Sequence, residues 1–500
     1  MNLLALTLPR WLRSPIFQIA VLGILSWLAY LDLTITYPLL TFVAKYPLTD
    51  FGRANDWSQP TLVDFVLSIL GVFALYVIAW RVVRQHPRDR RLLWLVVAFG
   101  VLFAVTLLAM YTITATDVFE YIFHSRILVR YGQNPLAVPP VTFKGDPFLK
   151  NVNWALHPSP YGPLWVLLTV PGTALAGNDL ILNLFLMKGL SVLFYVGCTL
   201  VVAAILQHKN PSQKVGGTLL FAWNPLVLFE APGNGHNGII MMFFALFAIY
   251  LLVRQRWLWV LPVLVASVLI KYITAILLLP FLIYCWRAQT DRHNRLMFLV
   301  KTCALSGLLV VIAALPFLAV PQGLLEEANF YSLLAVPTLA YNFLKGIHGD
   351  KIAKVLTIAT GVTTYLVLYA ISMRSLARDP RPRRLILLSA WLTTACLGIA
   401  CMHFQPWFVI WPIALGIWID HALARRVLLV FTASALLSYA ANFFWIWNFR
   451  VWQTPQVNAM FVAVIFVPPL LIGVLTRARN EWFSVAKRLS TFRLGSAPSE

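Results

Sequence analysis

Residues 92–113, LLWLVVAFGVLFAVTLLAMYTI, form a run of 22 residues without a single charge. Arg90-Arg91 stands before the run, and Thr114-Ala-Thr-Asp117 follows it. As a helix such a run is about 33 Å long, enough to cross the hydrocarbon core of a bilayer. Thirteen similar runs flank it, at about 16–43, 61–80, 161–177, 181–206, 216–232, 238–253, 257–286, 297–319, 351–373, 385–402, 407–421, 427–446 and 457–476. Over all 500 residues, 60% are hydrophobic and 11% charged, against the roughly 25% charged of a soluble domain. A water-soluble globule is excluded, and so is a separate nucleotide-binding domain of ordinary size. The fold class expected is all-α: a polytopic membrane helix bundle of about fourteen spans, with amphipathic surface helices in two long outer loops. The first run is too long for the core of a signal peptide and is read as a span that stays.

The net charge of +21 comes from 39 Lys and Arg against 18 Asp and Glu. That excess collects in short loops between the apolar runs, the mark of positive-inside topology rather than of nucleic-acid binding. Arg81–Arg91, Arg374–Arg384, Arg425-Arg426 and the tail from Arg477 all follow even-numbered runs, and so share one side, the cytoplasmic one. Two loops disagree, Lys209/Lys214 and Arg254/Arg256. Either the rule is loose there or one run between 161 and 286 is re-entrant. The five cysteines lie in or beside apolar runs without CxxC spacing and are expected as free thiols.

Two loops on the other side are long, about 114–160 and 320–350, and loops of that length in a tightly connected bundle are usually functional. The first begins with an amphipathic pattern. Val118, Phe119, Ile122 and Phe123 share one face and Asp117, Glu120 and His124 the other, as expected for a helix lying apolar side down on the membrane. Asp117 and Glu120, one turn apart, repel each other, which raises one pKa and suits a base; the competing reading of Asp117 is a helix-terminal carboxylate. Glu230, at the end of one run, and His236, in the Gly/Asn-rich break after it, exceed what a turn requires. Lys271 lies midway along the apolar stretch 257–286, where a lysine is costly unless it faces a polar cavity and an anion such as phosphate. His403-Phe-Gln-Pro-Trp407 breaks the chain at the outer end of another run. There is no P-loop, no HExxH and no carboxylate cluster, so neither a metal nor another cofactor is expected.

These blocks, in this order, resemble the multi-spanning GT-C glycosyltransferases, above all the polyprenol-phosphate-mannose-dependent alpha-mannosyltransferases of the MptA/MptB type. The resemblance rests on Asp117-Val-Phe-Glu-Tyr121, Arg126, Tyr131-Gly-Gln-Asn-Pro135 and Pro158-Ser-Pro-Tyr-Gly-Pro-Leu164. It continues through Asn224-Pro-Leu-Val-Leu-Phe-Glu230, Gly233-Asn-Gly-His-Asn237, Lys271 with Leu279-Pro280, and Phe404-Gln-Pro-Trp407. Gly238 stands where the family pattern carries Asp. The resemblance implies transfer of a sugar, mannose first among the candidates, from a polyprenyl-phosphate donor to a glycan, glycolipid or protein acceptor. The reaction would take place at the non-cytoplasmic face of a prokaryotic plasma or inner membrane, with membrane lipids as the other partners and no nucleic acid.

The resemblance also implies roles. Asp117 is the general base with Glu120 beside it; Arg126, Lys271 and His403 hold the donor phosphate; Tyr161, Glu230, His236, Asn237, Gln405 and Trp407 bind substrate. The expected organisation is a two-span extension (1–91), a catalytic module (92–350), further spans (351–476) and a cytoplasmic tail (477–500). A secondary transporter or flippase is the competing reading. It would place polar residues near the midplane at a repeat interface, whereas a transferase would bring both long loops together over Asp117.

Overall fold

A computed structural model describes residues 13–46, 48, 51–318, 322–327, 330–449 and 455–493. Among these residues no β-strand forms, and a lone main-chain bridge pairs Pro38 with Met110. Among the described residues, nine helices are long and apolar enough to cross a membrane, or ten if Pro225–Gly233 and Gly238–Val253, bent by 119°, count as one broken span. Their outward faces carry exposed aliphatic residues such as Leu67, Leu193, Val355 and Leu470, a surface that only lipid tolerates at this extent. The expected tail continues as helix to Arg493; residues 494–500 lie outside the described residues.

The basic loops gather at one end of the bundle. The guanidinium groups of Arg84 and Arg425 both lie over the Trp80 ring, 5.5 and 5.1 Å from its centroid. Arg426 donates to Thr476, and Arg383 to the carbonyl of Asp420. The two dissenting loops belong to this end as well. Gly216 packs against the Trp80 indole, and Arg254 lies 3.3 Å from His208.

Parity failed there because two apolar runs each begin and finish at the same end of the bundle. Pro163–Ala176 starts next to Tyr161, which touches Asp117, and stops where Gly177 accepts a hydrogen bond from Arg126. It therefore runs alongside the Asp117–Tyr131 helix at the functional end. Residues 257–287 rise to Lys271 and return, with the Trp257 and Tyr284 rings 6.1 Å apart at the base of the hairpin. Both runs are apolar because protein, rather than lipid, surrounds much of them.

Arg90–Leu108 leads from the basic end to the functional end, about 28 Å away along its axis. Its last carbonyls are capped by Lys188, fully buried, whose ammonium donates to Leu107 at 3.0 Å and to Met110. That contact pins the segment leading to Asp117.

Asp117–Tyr131 is buried continuously from Val118 to Ile127. It is therefore wedged between neighbouring helices, more deeply than its amphipathic pattern suggested. In the second loop Val336–His348 keeps Phe343 71% exposed on an outward apolar face. The two long loops meet. Gln322 donates to the Leu136 carbonyl at 3.1 Å, and His157 lies 2.7 Å from Glu326.

Candidate active site

Beneath the two loops lies a cavity of about 400 Å³. Asp117, Glu120, Tyr161, Lys271, His403, Gln405 and Trp407, all singled out from sequence, line it. Gly323 and Phe330 of the second loop close it from above.

Thr116 occupies the N-cap position of the 117–131 helix, so the Asp117 carboxylate is not the cap. It is 17% exposed and faces the cavity. Its Oδ2 accepts from the Tyr161 hydroxyl at 3.4 Å and lies 3.6 Å from Nδ1 of His236. The other ring nitrogen of His236 is 3.3 Å from Glu230 Oε2. A singly protonated imidazole donates to one partner only, so both contacts become favourable together in the imidazolium form. The ring is stacked on Trp407 at 4.3 Å. Glu230 is held in turn by the Tyr439 hydroxyl at 2.6 Å and the Asn234 amide at 3.0 Å.

Lys271 is not on a helix. It is extended, at φ −149°, between Trp257–Val268 and a tight 3-10 turn. Its ammonium lies 4.5 Å from the Phe408 ring centroid and 5.4 Å from those of Tyr161 and Trp411. Three aromatic faces thus stabilise the cation where the chain breaks, which removes the expense attached to a mid-span lysine. Gly162 makes this arrangement possible. It donates to the Ile270 carbonyl at 3.0 Å, and a Cβ there would come within 2.1 Å of the Leu269 oxygen.

The two carboxyl groups part company. Burial pushes Asp117 up, but His236, Lys271 and His403 outweigh it and hold the carboxyl below its ordinary value. Glu120 is buried with no cation paired to it among the described residues. Burial, reinforced by the Asp117 charge, raises it to about 8, although its Oε1 accepts from the Asn153 and Trp154 amides at 2.7 and 2.8 Å. At neutral pH one carboxyl is an anion and its neighbour an acid.

Four expected substrate contacts fall elsewhere. Arg126 does not line the cavity. Its guanidinium is buried in an ion pair with Asp146 at 2.7 Å, lies over the Phe148 ring at 4.0 Å and donates to Gly177. It bolts the proline-rich loop to the helix and has no face left for a phosphate. Glu230, His236 and Asn237 sit behind the cavity wall, each essentially unexposed, and His236, backed by Glu230, supports Asp117 from the rear.

Sequence reading missed His124, Asn153, Trp154, His157, Phe330 and Arg53, which also line the cavity. Only His124 carried a signal, its place on the Asp117 face. Gly233-Asn-Gly-His-Asn-Gly238 also has the literal GxGxxG spacing. It joins two helical segments, with Gly235 at φ +77°, and lacks the preceding strand of a dinucleotide fingerprint. Among the described residues, no group of three or more His, Cys, Asp or Glu is placed to hold a metal ion.

Residues 42–289 match the family model described as alpha-(1->6)-mannopyranosyltransferase, N-terminal domain. The chain is 26% identical over 340 residues to alpha-(1->6)-mannopyranosyltransferase A of Mycobacterium tuberculosis, a match covering 64% of this chain and 64% of that relative, just under two-thirds of its length. The segment matched by the family model contains Asp117, Glu120, Tyr161, Glu230, His236 and Lys271, and over it the chain is similar to the alpha-(1->6)-mannopyranosyltransferase family.

Proposed function

We propose that this protein is an integral membrane glycosyltransferase that moves a hexose, mannose by analogy with its relative, from a polyprenyl-phosphate donor to an acceptor hydroxyl on the non-cytoplasmic face. The observation that carries this reading is the pairing of an ionised Asp117 with cationic Lys271 in one cavity, beneath both long loops and opposite the basic end. The charge of the basic end favours the cytoplasmic side for it, which supports a cavity at the other interface. There a lipid head group and a water-borne acceptor can meet. A transporter would be expected to centre its polar residues at the midplane, so the same placement disfavours that reading.

In the proposed reaction the acceptor oxygen attacks the anomeric carbon as the bond from that carbon to the phosphate oxygen breaks. The lipid phosphate leaves with the electron pair. The acceptor hydroxyl becomes strongly acidic as its oxygen bonds to carbon, so a carboxylate held below its ordinary pKa is still base enough to take the proton. His236, Tyr161 and Lys271 keep Asp117 ionised and fixed before the event. Lys271 and His403 face the developing phosphate charge, where preformed positive charge acts most strongly. The domain organisation proposed is the one set out from sequence, with 92–350 as catalytic module.

The test is transfer by the full chain in lipid nanodiscs, using polyprenyl-phosphate-[14C]mannose and a panel of mannoside acceptors. Asp117→Asn should lower kcat by about 10²–10⁴-fold, the usual worth of base catalysis. Transfer at the wild-type rate by that variant, or from GDP-mannose alone, would overturn the proposal.

A further inference from the structure

One turn beyond Asp117 the cavity changes character. Glu120 and His124, at positions i and i+4, share a helix face and both line the cavity while nearly fully buried. Glu120 Oε2 has no hydrogen-bond partner, and the His124 ring, close to the His157 main chain, makes no well-formed hydrogen bond. Buried polar groups left this way are costly and rare in native proteins; here both residues line the cavity, with their unpartnered atoms lying just beneath its surface.

Above them Trp154 is 41% exposed at the lip. It is braced edge-on by Phe330, with centroids 5.1 Å apart, and Phe330 is braced by His157 at 5.0 Å. No cation pairs with Glu120 or His124 among the described residues, whereas Lys271 and His236 stand on the Asp117 side.

We propose that this wall, Glu120, His124 and Trp154, is the subsite for a neutral pyranose, the terminal sugar of a glycan acceptor. Such a ring matches the wall in each respect. It has an apolar face of C–H groups for the indole, and hydroxyls that both donate and accept for the two orphaned groups. It also carries no charge that would demand a counter-ion. The protonation of the wall agrees. Burial holds His124 down to about 4, leaving a neutral ring, and Glu120 is an acid at pH 7. The phosphate-bearing donor is directed to the cationic side, so the acceptor hydroxyl and the anomeric carbon meet at Asp117. The role assigned to the sugar rests on the transfer reading; the affinity of the wall for a sugar does not.

The experiment pairs equilibrium binding with kinetics on the full chain in nanodiscs, using octyl α-D-mannopyranoside as probe. Binding is read by saturation-transfer NMR for wild type, Trp154→Ala, Trp154→Phe and His124→Phe. Trp154→Ala and His124→Phe should each weaken mannoside binding by about tenfold, the worth of one good contact. Each should raise the acceptor KM to match while leaving the donor KM in place, and Trp154→Phe should fall between. Equal mannoside affinity in all four proteins overturns the subsite. So does a rise in donor KM with acceptor KM unchanged, which would give the wall to the donor. If wild type binds the mannoside through Trp154 yet transfers nothing from the mannosyl lipid, the subsite stands and the transfer reading falls.

Discussion

Replacing Glu120 by Gln is the most informative single change, because glutamine copies the neutral acid and cannot become an anion. Glu120 is pushed up to about 8 from an ordinary 4.5. A group with a raised folded-state pKa contributes stability that is fully present below its unfolded value and is lost as pH climbs through its folded value. For Glu120 the window therefore opens near 4.5 and closes near 8. A gap of that width is worth on the order of 5 kcal/mol, a large share of the 5–15 kcal/mol (roughly) that holds a typical domain together. Wild type should lose thermal stability progressively as pH rises from about 4.5 to about 8, levelling off above, and should lose the neutral acid, and with it transfer activity, as pH passes about 8. Glu120→Gln should have neither alkaline limb. The assay is thermal unfolding and mannosyl transfer in nanodiscs from pH about 4 to about 9 for both proteins, with the pH range chosen to bracket the ordinary carboxylate and the raised value. An identical alkaline limb in the two proteins would refute the assignment of Glu120 as a buried acid. A loss at neutral pH as deep as that of Asp117→Asn would make Glu120, not Asp117, the base.

Lys271→Met keeps the aromatic packing but removes the charge facing the donor phosphate. It should lower donor kcat/KM by about 10–100-fold, the worth of one charge-assisted hydrogen bond, measured in the same transfer assay; Arg126→Met should instead lower the melting temperature, since it strands the buried Asp146. Gly162→Ala forces a methyl group against the Leu269 carbonyl. It should cost about 1–3 kcal/mol of stability, as overpacking usually does, seen as a lower melting temperature with Tyr161 and Lys271 displaced. In a background with the exposed Cys303 changed to Ser, Lys144→Cys should label with an impermeant maleimide from outside intact cells and Lys209→Cys only after permeabilisation; the reverse pattern would sink the topology.

The class of this protein was decided by local quantities that any stretch of the chain reports. Each apolar run has its length, each basic loop its charge, and Asp117 and Glu120 their one-turn spacing whatever the rest of the chain does. A membrane bundle with a carboxylate pair past its third run was therefore legible before folding. Hydropathy, however, measures distaste for water and does not distinguish lipid from protein interior. Hence 161–177 and 257–286 read as crossings, and only their contacts with Asp117–Tyr131 and with each hairpin limb reveal that each begins and finishes at the same end. Charge states were equally out of reach. Asp117 and Glu120 are chemically near-identical in the sequence, and what separates them is a histidine 119 positions away for one and a dry pocket with two amide donors for the other. Arg126 and Lys271 both read as phosphate ligands. Asp146 claims the first, while the second stands at a break that aims it into the cavity. Such assignments depend on the solvation and partners of a group, and those exist only once distant segments are packed together.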